Sequence, residues 1–257
     1  MKKIGLLFLS VIMLLFFSGC TTSQSSTIEK RELVISAAAS MTDALNEVKE
    51  EFKKEHPGIL LTYNLGSSGK LVQQIESGAP TDVFISAGKS YVDKLEQKDL
   101  IIKTSRFNMA KNELVLVGNK EQRIKISSFQ ELAQLKDKKI AIGNPESVPA
   151  GKYTEEVFKH FNILNKVTDQ LVMGSDVRQV LAYVESGNAE VGVVYASDAL
   201  ISEKVQVLAT SDAAWHSPIV YPCAIVKTST KQSEAELFLT YLKGEKSQEI
   251  LKKYGFK

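Results

Sequence analysis

The residues from Gly143 to Gly151 form a segment that is well suited to hold an anion. They follow an apolar, strand-like run and precede a run whose apolar residues have helical spacing. Pro149 suits the first turn of a helix, and the side chains of Ala150 and Gly151 are too small to cover their own backbone N–H groups. A helix N-terminus carries unpaired N–H donors and a partial positive charge, so this turn could bind an anion without an arginine.

Three more predicted helix starts carry groups that could donate hydrogen bonds. Ser40 is expected to be the N-cap of the first helix, with a spare hydroxyl. Ser68 supplies a hydroxyl in a glycine-rich turn, and Asp176 could cap a further helix so that the amide of Val177 points outward. Tyr195 ends a separate apolar strand. Helix capping alone explains any one of these turns, so the prediction of a site depends on whether they converge.

Strand-like and helical apolar patterns alternate along the chain, which is typical of an α/β fold. Leu33 to Ala37 and Asp82 to Ser86 are predicted to be buried strands, and Glu234 to Lys253 is predicted to be a single closing helix. In open α/β sheets ligands bind beyond the carboxyl ends of the strands. The four turns would lie at those ends.

Two stretches of the chain, 67–86 and 176–195, resemble each other at a constant offset. Their apolar positions match, and the triplet Glu-Ser-Gly occurs at 76–78 and again at 185–187. The identities are few, so one interpretation is the chance recurrence of a helix–glycine–strand unit. The other is that the chain holds two similar lobes, each with a helix that starts beside a strand end.

The turns also match a set of motifs that occur together in one protein family. These motifs, in chain order, are Ala37-Ala-Ala-Ser-Met-Thr-Asp-Ala, Gly66-Ser-Ser-Gly-Lys-Leu, Gly78-Ala-Pro-Thr-Asp-Val-Phe-Ile-Ser-Ala, Gly143-Asn-Pro-Glu-Ser-Val-Pro-Ala-Gly, Asp176-Val-Arg, Val194-Tyr-Ala-Ser-Asp-Ala and Tyr254-Gly-Phe. Together they closely resemble the molybdate-binding proteins of bacterial ABC importers, over essentially residues 33–256. The chain departs from the family at Met41, where Leu is common, and at Lys70, where some relatives carry Thr; neither change removes a donor.

The resemblance implies a two-lobed type II periplasmic-binding-protein fold, with the oxyanion in the interlobe cleft and two crossover hinge strands. The first lobe would comprise residues 31–111 and 213–257, and the second lobe residues 112–212. The chain would cross between lobes near 111–113 and again near 212–215. Ligand binding would close the hinge between the lobes.

The resemblance also implies which residues bind the ligand, all of them through neutral groups. The ligands would be the hydroxyl of Ser40, the hydroxyl and amide of Ser68, the amides of Ala150 and Val177, and the hydroxyl of Tyr195. Molybdenum would thus be bound only as its oxyanion, with no cofactor. Asp176 and Arg178 also match the family motif, and we interpret them as a helix cap and a structural ion pair.

Such a donor-only cleft suits a fully deprotonated tetrahedral dianion, because its oxygens only accept hydrogen bonds. The O–H of monohydrogen phosphate would face a donor and leave one partner unpaired, at a cost of about 1–3 kcal/mol or more. Size must separate molybdate from sulfate, whereas molybdate and tungstate are nearly equal in size and should both bind. The predicted function is capture of molybdate and tungstate for an ABC permease, and the alternative is another oxyanion such as sulfate.

The N-terminus predicts export. Two lysines precede a short apolar run, Ile4 to Phe17, followed by Ser18-Gly19-Cys20. This ending resembles the bacterial lipoprotein signal, which implies a signal peptide over 1–19, lipidation of Cys20, a flexible tether over 20–30 and anchoring at the outer face of the cell membrane. The alternative is an ordinary exported protein with an incidental cysteine.

Composition argues against other functional classes. The net charge of +2 and the absence of a basic block disfavour a nucleic-acid partner. The three histidines are scattered, and the chain contains no Gly-x-Ser-x-Gly motif and no metal-ligand spacing, so we expect no enzyme activity. A binder of another solute or a sensory module remains a rival reading, and a monomer is expected.

Overall fold

A computed structural model describes residues 31–122 and 124–257 of the chain. The predicted signal peptide at 1–19, the lipidation site Cys20 and the tether at 20–30 lie outside these residues. Among the residues that are described, no helix has the length and apolar character needed to cross a membrane.

The described residues form an α/β fold with two five-stranded sheets. The strands are β1 (Arg31–Ala38), β2 (Ile59–Gly66), β3 (Val83–Ile85), β4 (Phe107–Lys111), β5 (Leu114–Asn119), β6 (Ile140–Gly143), β7 (Leu171–Gly174), β8 (Val191–Tyr195), β9 (Val205–Thr210) and β10 (Val220–Ile225). The α-helices are α1 (Thr42–Glu55), α2 (Ser68–Glu76), α3 (Lys89–Gln97), α4 (Pro149–His160), α5 (Leu164–Val167), α6 (Val177–Glu185), α7 (Ala196–Leu200), α8 (Gln232–Lys243) and α9 (Glu245–Lys253).

The two sheets are built on the same plan. The first has the strand order β2-β1-β3-β10-β4, in which β1 pairs in parallel with β2 and β3, while β10 is antiparallel to its neighbours. The second has the order β7-β6-β8-β5-β9, in which β6 pairs in parallel with β7 and β8, while β5 is antiparallel to its neighbours. Each sheet therefore defines one lobe, which confirms the two-lobed α/β prediction.

The near-repeat in the sequence corresponds to this shared plan. Helices α2 and α6 both contain nine residues and occupy the same positions within the two similar stretches. Each is followed by a glycine in the left-handed region, Gly78 with φ 82° and Gly187 with φ 73°, which an L side chain would adopt with strain. The triplet that recurs in the sequence thus ends equivalent helices, so the interpretation as two similar lobes is correct.

The chain passes between the sheets twice. Strand β4 of the first sheet and β5 of the second are separated only by Asn112 and Glu113. Strand β9 of the second sheet returns to β10 of the first through residues 211–219. The predicted lobe boundaries, after 111 and after 212, fall within these two connections, and the exact limits of the lobes remain a prediction.

Apolar runs in the strands supply the core. All six residues of β5 are buried, as expected for a sheet that is covered by helices on both faces. Helix α1 buries Ala44, Leu45, Val48 and Phe52 along one face. The predicted single closing helix is wrong, because α8 ends at Lys243 and Gly244 is extended (φ −69°, ψ 155°) before α9 begins.

Candidate functional site

One small cavity brings together residues from both lobes. It is lined by Ala38, Ala39, Ser40, Gly66, Ser67, Ser68, Ala87, Val148, Pro149, Ala150, Asp176, Val177 and Tyr195. All five residues that the sequence analysis nominated as ligands are on this list. None of the described lining residues is Lys, Arg or His, and Asp176 is the one with a charge.

Three helix starts meet at the cavity. Ser68 is the first residue of α2, Val177 is the first residue of α6, and Ala150 is the second residue of α4, after Pro149. Because these residues lie in the first turn of each helix, their backbone amides have no acceptor within that helix. They also lie at the positive ends of the helix dipoles. The cavity therefore combines free N–H donors with the positive ends of helix dipoles, although no cationic side chain lines it among the described residues.

Small residues at the start of α4 leave its first backbone amides uncovered. A Cβ on Gly151 would lie 1.9 Å from the carbonyl oxygen of Gly143, so only glycine lets the first turn of α4 fold back over the end of β6. The carbonyl of Asn144 accepts the amides of Ser147 (3.1 Å) and Val148 (2.8 Å), which fixes the turn. Helix α4 has no side-chain cap, so its first amides are not covered.

The entry to α6 is capped in a way that spares the amide of Val177. The carboxylate of Asp176 accepts the amide of Gln179 at 3.0 Å, which confirms its predicted role as the N-cap. The Gln179 side chain in turn accepts the amide of Ser175 at 2.6 Å. Because the Asp176 carboxylate accepts the amide of Gln179, the N–H of Val177 is left available for a ligand.

The hydroxyls of Ser40 and Ser68 each have a hydrogen-bond partner within the protein. The amide of Ala87 donates to Ser68 Oγ at 3.0 Å, so the hydroxyl proton of Ser68 is left to donate elsewhere. Ser40 Oγ lies 2.9 Å from the hydroxyl of Tyr221, which itself lies 3.3 Å from Asn112 Nδ2. Because that amide can only donate, the Tyr221 proton is available for Ser40 Oγ, and the proton of Ser40 can point into the cavity.

Ser40 is not the N-cap that the sequence predicts. It lies in a 3₁₀ turn, Ala39–Met41, and α1 begins only at Thr42. The hydroxyl of Thr42 donates to the carbonyl of Ala39 at 2.7 Å and stabilises this turn. The Ser40 hydroxyl is therefore directed towards Tyr221 and the cavity instead of towards the amides of α1.

Tyr195 presents a hydroxyl that has no hydrogen-bond partner among the described residues, although only 1% of the residue is exposed. Burial raises the pKa of the Tyr195 hydroxyl well above its usual value of 10. The group therefore stays neutral and able to donate. A buried donor without an acceptor is costly, so a hydroxyl in this position is expected to serve a ligand.

Arg178 lies next to the cavity but forms ion pairs instead of lining it. Its Nη2 is 2.5 Å from Asp43 Oδ2 on the first lobe, and its Nε is 2.8 Å from Asp198 Oδ1 on the second. The predicted structural ion pair is confirmed. Burial raises the pKa of the fully buried Asp198 to about 6, and the neighbouring guanidinium opposes that rise.

The lobes also touch directly through their backbones beside the cavity. The amide of Gly69 in α2 donates to the carbonyl of Ser147 at 2.9 Å. A Cβ at position 69 would lie 2.6 Å from that carbonyl oxygen, so the two lobes approach more closely here than a side chain allows. The described conformation therefore holds the two lobes in direct contact beside the cavity.

Sequence reasoning missed three residues of this arrangement. Ser67 lines the cavity, and the serine doublet at 67–68 was the available signal for it. Tyr221 and Asn112 support Ser40 from distant parts of the chain, and no local pattern points to them. Within the described ranges, no group of three or more His, Cys, Asp or Glu side chains could hold a metal ion directly.

Comparison with known proteins gives matches over nearly the whole described chain. A family model described as bacterial extracellular solute-binding protein matches residues 33–257. YvgL of Bacillus subtilis, provisionally named an ABC transporter substrate-binding lipoprotein, is 43% identical over 257 residues, covering 99% of this chain and 98% of the relative. Molybdate-binding protein ModA of Haemophilus influenzae is 37% identical over 228 residues, covering 88% of this chain and 89% of the relative.

A solved structure agrees with these sequence matches. The Azotobacter vinelandii periplasmic molybdate-binding protein superimposes with a TM-score of 0.78 at 27% identity, covering 88% of this chain and 98% of that structure. The likeness thus extends over both lobes and the cavity between them.

Proposed function

This chain belongs to the family of bacterial extracellular solute-binding proteins, and on that premise we propose that it captures molybdate for an ABC permease. Membership makes it a solute-binding protein and not an enzyme, in agreement with the sequence prediction. The observation that supports the proposed ligand is the cavity, where three helix starts and the hydroxyl of Tyr195 converge. Within the described part of the chain, that hydroxyl has no partner and the lining includes no cationic side chain.

The donor set explains the preference for a fully deprotonated oxyanion. Amides at the helix starts can only donate. Ser68 Oγ already accepts the amide of Ala87, and Ser40 Oγ can accept the proton of Tyr221, so both hydroxyls can donate to the ligand. Molybdate, tungstate and sulfate offer acceptors only. Monohydrogen phosphate brings one O–H that would face a donor, and the unpaired group costs about 1–3 kcal/mol or more. The molybdenum enters as the oxyanion, and we propose no separate cofactor.

Closure of the two lobes couples binding to transport in this proposal. Ser40 and Ser68 belong to the first lobe, while Ala150, Val177 and Tyr195 belong to the second. A ligand held by both groups favours the conformation in which Gly69 contacts Ser147, since that contact forms only when the lobes meet. The permease can then distinguish a loaded protein from an empty one by shape.

We also propose that Cys20 is lipidated and anchors the protein at the outer face of the cell membrane, as a monomer. The lipid anchor is supported by the short apolar run before Ser18-Gly19-Cys20. It is also supported by the similarity, over 99% of the chain, to a relative that is named as a lipoprotein. In cell fractionation, the wild-type protein should sediment with membranes and a Cys20→Ser variant should be released. Release of both proteins would contradict the anchor.

The proposed function is tested by isothermal titration of the purified protein with molybdate, tungstate, sulfate and phosphate. We expect tight binding of molybdate and tungstate, weaker binding of sulfate and no measurable binding of phosphate. The same salts should raise the Tm in that order, because a ligand that binds only the folded state stabilises it by mass action. Stabilisation by sulfate without any by molybdate would assign the cavity to a different oxyanion.

A further inference from the structure

Ser67 carries a buried hydroxyl that the described part of the protein leaves without a partner. The residue is 3% exposed, lines the interlobe cavity, and its Oγ has no hydrogen-bond partner among the described residues. Buried hydroxyls in folded proteins are nearly always paired. A hydroxyl in this position therefore needs an explanation that the protein alone does not provide.

The side chain of Ser67 also makes no helix-capping hydrogen bond. Ser67 occupies the N-cap position of α2 with an extended backbone (φ −70°, ψ 141°), where a serine side chain normally accepts an amide of the first helical turn. Its side chain makes no such bond. The amide of Gly69, which such a cap could serve, donates instead to Ser147 of the other lobe. The hydroxyl of Ser67 is thus left available although its residue stands at a capping position.

Tyr195 is in the same situation on the other lobe. Among the described residues, Ser67 and Tyr195 are the two that combine a place in the cavity lining with a buried, unpartnered hydroxyl. The hydroxyls of Tyr241 and Ser247 also have no partner within residues 31–122 and 124–257, but neither residue lines this cavity. One explanation covers both cavity hydroxyls: the acceptor that they lack is the ligand.

We propose that Ser67 donates a hydrogen bond to the bound oxyanion through its side chain, as a ligand-binding residue additional to the five predicted ones. This inference rests on the proposed function and deepens it. The oxygens of a tetrahedral dianion can each accept more than one hydrogen bond, so a further donor beside Ser68 has an acceptor to serve. The serine doublet then supplies two adjacent hydroxyls at one helix start, of which Ser68 is oriented by Ala87 and Ser67 by the ligand itself.

The test is a titration of molybdate into the purified full-length protein and its Ser67→Ala variant. We expect Kd to rise by about tenfold or more, as for a lost hydrogen bond to a charged partner. The Tm without ligand should stay the same or rise, because the variant loses no bond within the protein. Ser77→Ala is the matched control, since Ser77 lies exposed at the opposite end of α2 and should bind like the wild type.

Each outcome bears on a different statement. Equal affinity of the wild type and Ser67→Ala would overturn this inference and leave the proposed function intact. A lower ligand-free Tm that accompanies weaker binding would assign Ser67 to the fold and also overturn it. If the wild-type protein itself does not bind molybdate, the proposed function fails, and the inference fails with it.

Discussion

Arg178 of the second lobe and Asp43 of the first lobe form an ion pair beside the interlobe cavity, with Nη2 and Oδ2 separated by 2.5 Å. The pair connects the start of α6 to the first turn of α1, so it exists only while the lobes are together. Arg178 is also bound to Asp198 within its own lobe. The guanidinium therefore keeps one partner when the lobes separate.

Loss of the interlobe partner should weaken binding only slightly. The Asp43 and Arg178 side chains are 39% and 23% exposed, and an ion pair of this kind contributes about 0–1 kcal/mol. We expect Asp43→Asn to raise the Kd for molybdate by roughly fivefold at most, with the difference disappearing in high salt. Titration calorimetry at low and high salt measures this, with the exposed Asp169→Asn as control. A large effect that persists in high salt would contradict it.

Loss of the arginine should instead destabilise the fold in a pH-dependent manner. Arg178→Gln leaves the fully buried Asp198 without its cation, and breaking a buried pair costs about 3–5 kcal/mol. The pKa of Asp198, already about 6 in the folded protein and near 3.9 when unfolded, should rise further. Between these two pKa values the folded state binds more protons than the unfolded state. The free energy of unfolding must therefore fall as the pH rises through the folded pKa.

Thermal melts of Arg178→Gln at several pH values test this. The Tm deficit relative to the wild type should be small near pH 5 and larger near pH 8. The double variant Arg178→Gln/Asp198→Asn should lose this pH dependence, because no titratable carboxyl remains at the site. A deficit that is the same at both pH values would show that Asp198 is not the cause.

Removal of the amide at the start of α6 should cost affinity without breaking the helix. Val177 is the first helical residue, where proline is well tolerated, and Asp176 before it is extended (φ −159°, ψ 175°), as a residue before proline must be. Val177→Pro deletes the N–H, so Kd should rise roughly 10- to 100-fold, as for a hydrogen bond to an ion. Val177→Ala keeps the amide and should retain affinity at a lower Tm.

Removal of the Tyr195 hydroxyl should separate binding from stability. Tyr195→Phe deletes a donor that has no partner in the described protein, so the ligand-free Tm should be unchanged or higher. The Kd for molybdate should rise roughly 10- to 100-fold by the same reasoning as for the amide. Tyr183→Phe, on a half-buried residue of α6, is the control. Unchanged affinity of Tyr195→Phe would remove this hydroxyl from the ligand set.

Local signals in the sequence were sufficient for the fold and for much of the site. Pro149 marks the first turn of α4, Asp176 caps α6, and glycines in the left-handed region end α2 and α6. Each of these signals acts within a few residues of the chain, so each can be read without knowledge of the fold. Their convergence on one cavity followed from the placement of helix starts at the carboxyl ends of parallel strands.

Features that depend on long-range contacts could not be predicted in this way. Ser40 was expected to cap α1, but its hydroxyl is oriented by Tyr221, which lies 181 residues further along the chain. The break at Gly244 was hidden, because the apolar spacing continues from α8 into α9. The two adjacent serines also differ in a way that no local pattern predicts, because Ser68 Oγ accepts the amide of Ala87 while Ser67 Oγ has no partner among the described residues.

The backbone contact between Gly69 and Ser147 has a kinetic consequence. Under the proposed function, separation of the lobes releases the ligand and breaks this bond, so the dwell time of the ligand should depend on the opening rate as well as on its own hydrogen bonds. Exchange of bound ligand for free ligand should therefore be slow even when free ligand is abundant. A partner that binds both lobes and holds them apart would shorten the dwell time of the ligand. Docking to such a partner would therefore trigger ligand release.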